Sequence, residues 1–149
     1  YGPHQQLHRI IPKTLGCIFG NKKFQLHGGG KSIRSFIFVD DFCNGIYKSM
    51  VKGKPGEIYN FTNREFVSIA WLVKKICTLT SKNFNNLVKI TKDRPSKDYA
   101  YKMNPTKAEK ELNWKPKYTI EEGLKKTIQW YKANKKQLLR LKNTYVHRP

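Results

Sequence analysis

The sequence is short of acidic residues, of cysteine and of long apolar runs, and each shortage excludes a class of protein. Ten Asp+Glu face 30 Lys+Arg in 149 residues, a formal charge of +20 with His neutral. No stretch approaches the roughly 18–20 consecutive apolar residues needed to cross a bilayer. Three cysteines, Cys17, Cys43 and Cys77, stand far apart without CxxC spacing. That argues against a disulfide framework or a zinc site, and for buried thiols in a reducing cytoplasm. The four histidines have no HExxH spacing, so no metal site is expected. No GxGxxG follows a strand, so the dinucleotide fingerprint is missing. No Ser/His/Asp set, Cys/His set or carboxylate pair has a supporting context, and no catalytic residue is assigned. Gly28-Gly29-Gly30-Lys31-Ser32 imitates a phosphate loop, yet Gln25 stands where its first glycine belongs and a strand follows instead of a helix.

What is present indicates a folded core. Apolar residues make up 38% of the chain and aromatics 13%, which argues against general disorder. Of the 30 cations, 24 are Lys and only 6 are Arg, scattered in blocks no longer than two. Bidentate recognition of phosphate or guanine favours Arg, so the charge reads mainly as solvated helix faces. A basic polyanion or nucleic-acid module stays as the reading from another class. The opening Tyr1-Gly2-Pro3-His4 has neither a signal-peptide pattern nor an initiator Met, which reads as a fragment.

Periodicity predicts a helix over 9–21, a brief strand over 24–27 and a strand over 33–39. A helix capped by Asp40 or Asp41 runs to about Val51, and a buried strand over 57–61 follows the Lys54-Pro55-Gly56 turn. Ser68 caps a helix burying Ile69, Leu72, Val73 and Ile76, polar residues 81–86 break it, and a strand covers 87–91. Residues 93–98 form a loop. Asn104-Pro105 opens a helix to Leu112, and Thr119 with Glu122 makes a capping box for a last helix with Leu124, Ile128 and Tyr131 inward. The tail beyond about 142 reads as loose. Alternating strands and helices give an α/β or α+β class.

Two arginines stand out. Arg34 leads into an apolar strand, where a guanidinium needs either an acid (Asp40, Asp41 or Glu57) or a bound anion. Arg94 sits in a loop at a strand end, where open sheets build sites. Asn60, inside the predicted buried strand, must satisfy its amide with backbone or ligand; Asn60-Phe61-Thr62 is also a glycosylation sequon, without a secretory signal to support it.

Seven motifs occur in order: Tyr1-Gly2-Pro3, Ile11-Pro12-Lys13, LHGGGKSIRSFIFVDD (26–41), GKPGEIYNFTN (53–63), DRPSKDYAY (93–101), TKAEKELNWKPKYTIEEGL (106–124) and TIQWY (127–131). In this order and spacing the chain resembles the C-terminal half of the NAD-dependent epimerase/dehydratase family, the extended short-chain dehydrogenases/reductases, and within it the nucleotide-sugar 4,6-dehydratases. The resemblance implies a substrate-binding portion over 1–142, with 33–62 adding a strand and helix to a Rossmann-type part whose core lies upstream of Tyr1, and a loose tail over 143–149. It implies Arg34 and Arg94 as ligands of a nucleotide diphosphate and Asn60 as a further polar contact; Lys97, where the chain departs from the family pattern, is a candidate phosphate contact. Ile10, Ile11 and Pro12 would line the sugar pocket, and Leu26 and His27 would pack on the base. Tyr1 would touch the NAD cofactor, which the upstream half mainly holds. In the complete enzyme NAD+ takes a hydride from sugar C4, water leaves across C5–C6 and the hydride returns to C6, giving a 4-keto-6-deoxy sugar nucleotide. A 4-epimerase or decarboxylase is the alternative within the family. Partners implied are the sugar nucleotide, a separate N-terminal half and a second copy in a homodimer; localisation is cytoplasmic. Three segments depart from the usual dehydratase pattern: Ser35 replaces an acidic residue, Ser96-Lys97 replaces Gly-His, and His8-Arg9 replaces a Glu-Lys-like pair.

Overall fold

Three helices carry apolar residues at three- and four-residue spacing and bury those stripes in one core: α1 (Ile10–Phe19), α3 (Ile69–Leu79) and α6 (Ile120–Leu138). The computed structural model describes residues 1–93 and 98–141. Between and beyond these helices lie β1 (Phe24–His27), β2 (Ile33–Ser35), α2 (Val39–Lys52), β3 (Phe66–Ser68), the short α4 (Phe84–Leu87), β4 (Val88–Thr91) and α5 (Thr106–Leu112). The architecture is mixed α/β, as the alternation predicts.

Helix α1 packs on both α3 and α6. Ile11, Leu15 and Ile18 meet Leu72, Val73 and Ile76 of α3 and Leu124, Ile128 and Tyr131 of α6, with Phe24 and Leu26 of β1 closing the cluster. Each such side chain contributes about 1.5–3 kcal/mol by leaving water. The predicted caps of α3 and α6 are in place. Ser68 Oγ accepts from the Trp71 amide at 3.0 Å. Thr119 Oγ1 accepts from the Glu122 amide at 3.2 Å, while Glu122 Oε2 accepts from the Thr119 amide at 2.9 Å. Those bonds hold the Glu122 carboxyl below the usual carboxylate range. At α5 the N-cap position is Pro105, one residue later than expected, and Asn104 Oδ1 accepts from the Thr106 amide at 3.0 Å.

Strands β1 and β4 pair in parallel, Phe24 with Val88 through His27 with Thr91. Strands β2 and β3 pair antiparallel, with Arg34 opposite Val67 and Ser35 opposite Phe66. On its other side Ile33 bridges Ala100, its amide donating to Tyr99 O at 2.8 Å. A smaller core forms where α5 meets α2: Ala108, Leu112 and Trp114 pack with Ile37, Tyr59 and Phe61.

Several expectations are corrected. The strand predicted over 33–39 stops at Ser35, because the backbone beyond pairs elsewhere: Phe36 O accepts from Asn63 Nδ2, and Ile37 O and the Val39 amide bond to the Tyr1 backbone. Residues 57–61 form no strand and are not buried; Ile58 is 78% exposed. Neither Asp40 nor Asp41 caps α2, whose N-cap position is Phe38. Asp41 instead sits in the first turn, 2% exposed, accepting the amides of Lys117 (2.9 Å) and Tyr118 (3.1 Å). The thiols are not uniformly buried: Cys77 is, Cys17 is half-buried and Cys43 is exposed on α2. The polar stretch after α3 contains α4, begun by Asn83 Oδ1 accepting from the Asn86 amide. No described helix is long and apolar enough to cross a membrane.

Candidate functional site

The candidate site forms where β1 and β4 end beside β2. Parallel pairing brings His27 and Thr91 to the same edge, and Thr91 Oγ1 lies 2.9 Å from His27 Nδ1, with Lys92 O 3.3 Å from the same nitrogen. Those contacts fix the imidazole plane. Leu26 is buried, 3% exposed, and its Cδ1 would lie 2.9 Å from a Cβ added to Gly30. The same Cβ would meet the Ala70 amide nitrogen at 2.7 Å. Gly30 also has φ +69°, so only glycine lets the chain turn this tightly between β1 and β2. At Gly28 the Asp93 carboxylate occupies the place of a side chain, 2.2 Å from where Cβ would sit. Asp93 thus closes over the glycine turn.

Arg34 is half-buried in the middle of β2. Its Nη1 donates to Ile33 O at 2.7 Å and its Nη2 to Asp98 O at 2.9 Å. Of the three carboxylates weighed as partners, Asp40 makes no ion pair with Arg34 among the described residues, Asp41 is engaged on the 117–118 amides and Glu57 pairs with Lys107. That pairing lowers the Glu57 carboxyl. Arg34 therefore meets backbone carbonyls, which orient a guanidinium without neutralising it.

Arg94 and Lys97 lie outside the described residues. Their flanks are placed: Asp93 against the glycine turn and Asp98 against Arg34. Asn60 is exposed, so the requirement for internal satisfaction of its amide does not apply. Ile11 is 1% exposed in the helical core, Pro12 is buried and Ile10 half-buried against the same core. A cavity of about 670 Å³ opens between α1 and α6, lined by Pro12, Gly16, Cys17 and Tyr131 among others; of the candidate residues it takes in Pro12 alone. Burial raises both the Cys17 thiol and the Tyr131 hydroxyl.

Tyr1 is committed to the fold. Its hydroxyl donates to Ile120 O at 2.9 Å and its ring stands edge-on to Phe36 and Phe38. Burial, with the charges of Glu65, Asp41 and Glu122, pushes that hydroxyl well above its ordinary range.

Residue-level reasoning missed Asn63. It is 6% exposed, donates to Phe36 O at 2.6 Å and accepts from Ser35 Oγ and the Glu65 amide, each at 3.0 Å. The available signal was an Asn just before a polar turn, where such side chains bond the backbone two residues on.

Comparison with known proteins gives a consistent result. The family model described as GDP-mannose 4,6 dehydratase matches residues 1–127. A dTDP-D-glucose 4,6-dehydratase of Homo sapiens is 38% identical over 139 residues, covering 90% of this chain and 39% of its own length. The crystal structure of a Bacillus anthracis dTDP-glucose 4,6-dehydratase in complex with NAD superposes with a TM-score of 0.85 at 33% identity, covering 93% of this chain and 44% of that one. The Bordetella bronchiseptica enzyme WbmF, in complex with NAD+ and UDP, superposes with a TM-score of 0.78 at 30% identity, covering 94% and 46%. The chain spans about two fifths of the length of the curated relative it matches.

Proposed function

We propose a role that starts from family membership: the chain belongs to the GDP-mannose 4,6-dehydratase family, among the NAD-dependent nucleotide-sugar epimerases and dehydratases. Within a 4,6-dehydratase that makes a 4-keto-6-deoxy sugar nucleotide, this chain is the portion that holds the substrate's nucleotide diphosphate. The observation that carries the reading is Arg34, half-buried and bonded only to carbonyls in its described contacts. Two of its five N–H donors are engaged, and a diphosphate oxygen takes others. Charge-assisted hydrogen bonds of this kind are worth about 1.5–3 kcal/mol each. Arg94 and Lys97 add charge between Asp93, which meets the glycine turn, and Asp98, which meets Arg34, and Asn60 adds a polar contact. Leu26 and His27 pack on the base, while Ile10, Ile11 and Pro12 belong to the helix behind the sugar.

NAD is bound in the relatives' structures. The described residues of this chain do not fit it: the Tyr1 hydroxyl is bonded internally and the glycine turn leads into a strand instead of a helix. No chemical step is therefore assigned to this chain; its work is binding and orientation.

The rest of the enzyme meets residues 33–62. Helix α2 exposes Phe42, Ile46, Tyr47, Met50 and Val51, and Ile58 stands exposed beyond it. A face this apolar needs covering, and a Rossmann-type portion of the family fold covers it, whether in one chain or as a separate half. The complete enzyme works as a cytoplasmic homodimer. The test is complementation: the chain is mixed with the unmatched portion of the human relative, and 4-keto-6-deoxy product from dTDP-glucose is measured. Product formation that needs both parts is expected; no product and no substrate binding by the mixture overturns the reading.

A further inference from the structure

Ser35, Thr62 and Asn63 form a buried polar cluster beside Arg34 that the nucleotide-binding reading does not use. Thr62 is 1% and Asn63 6% exposed. Ser35 Oγ lies 2.5 Å from Thr62 Oγ1 and 3.0 Å from Asn63 Oδ1, and Thr62 Oγ1 donates to Asn63 O at 3.1 Å. One amide thus joins three points of the backbone and its surroundings: Phe36 just past β2, Ser35 at the end of β2, and Glu65 just before β3.

The strands it joins are three residues long each, and β2 is held on its far side through Ile33. So few ladder bonds specify register weakly, and a slip of one residue would send every side chain to the opposite face. Successive side chains in a strand point to opposite faces, so holding the Ser35 hydroxyl in the cluster forces Arg34 onto the other face, where Asp98 O receives it. A neutral hydroxyl at position 35 makes the attachment.

We infer that Asn63, acting through Ser35, is a positioning residue for Arg34: it sets the β2–β3 register and thereby the face on which the guanidinium meets the diphosphate. This rests on the reading of Arg34 as a diphosphate ligand.

A double-mutant cycle on the complemented enzyme separates the two claims, with UDP as the probe and calorimetry as the readout. Asn63→Ala is expected to weaken UDP binding roughly tenfold, and Ser35→Ala, the gentler change, roughly threefold. In an Arg34→Ala background neither substitution weakens it further, because the group being positioned is gone. Nuclear magnetic resonance without ligand reads the register directly: the cross-strand contact between Arg34 and Val67 is lost in Asn63→Ala, while contacts within α6 persist. If Arg34→Ala leaves UDP affinity unchanged, the diphosphate reading fails and this inference with it. If Arg34→Ala weakens binding but both cluster variants bind as wild type, or their effects add fully to that of Arg34→Ala, the positioning role alone is overturned. Retention of the Arg34–Val67 contact in Asn63→Ala overturns it too.

Discussion

The guanidinium of Arg34 donates to the backbone carbonyl of Asp98 across 2.9 Å, joining positions 64 residues apart. That bond ties Asp98 to the strand carrying Arg34. Asp93 is held against Gly28.

Asp41 is a structural keystone rather than a helix cap. Its carboxylate accepts two amides in the segment before α6, and its carbonyl accepts Trp114 Nε1 at 3.0 Å. Asp41→Ala leaves those two amides without their acceptor and is expected to cost about 2–3 kcal/mol in urea unfolding. Asp41→Asn, which keeps an acceptor oxygen, should cost about half as much. Equal stability of Asp41→Ala and wild type would contradict this role.

Glu121 links two core helices by pairing with Lys75 of α3 and with Lys125 one turn along α6, at 2.9 Å for the latter. The hydrogen bonds from Lys75 and then Lys125 lower its carboxyl to about 2, from 4.5. A carboxyl lowered by folding stabilises the protein above its unfolded value and loses that contribution as pH falls toward the folded one. The contribution is therefore present above about pH 4.5 and gone near pH 2. Thermal melts at pH 5 and pH 3 should show a smaller acid-induced drop for Glu121→Gln than for wild type, and the difference should shrink in high salt, since the pair is exposed. An identical drop in both proteins would count against it.

The open face of α2 predicts an asymmetry between stability and solubility. Met50 is 80% exposed and Ile46 43%. Ile46→Lys and Met50→Lys in the chain alone should change unfolding free energy by no more than about 0.5 kcal/mol, while raising the concentration at which aggregation begins. Cys43 on the same helix should react with a thiol reagent far faster than buried Cys77, and slow down when the remaining portion of the enzyme is added. Destabilisation well beyond that figure would mean that α2 already packs these residues.

Much of the fold was legible because local signals and burial agree. Helices α1, α3 and α6 show the apolar period, Ser68 and the Thr119–Glu122 pair mark starts, and β1 (FQLH) and β4 (VKIT) alternate apolar with polar residues. The failures share a physical cause. Residues 57–61 and 36–38 carry strand-type side chains, but a strand exists only with a partner, and none of the described residues supplies one. Strand β3 is three residues long and merges into the Ser68 cap, so it has no period to read. Asp40 and Asp41 resembled caps because acids belong near helix starts; the contacts of Asp41 are 76 and 77 residues away, beyond any local signal. At the site, Arg34 and the glycine turn were legible, whereas Asn63 works through backbone bonds that composition does not reveal.

Titration of dTDP-glucose into the complemented enzyme tests most directly whether Arg34 is a diphosphate ligand. Saturable binding that tolerates moderate salt is predicted, with Arg34→Ala weaker by roughly ten- to a hundredfold, as the loss of charge-assisted hydrogen bonds requires. Binding unaffected by Arg34→Ala, or a preference for DNA that collapses as salt is added, would contradict it.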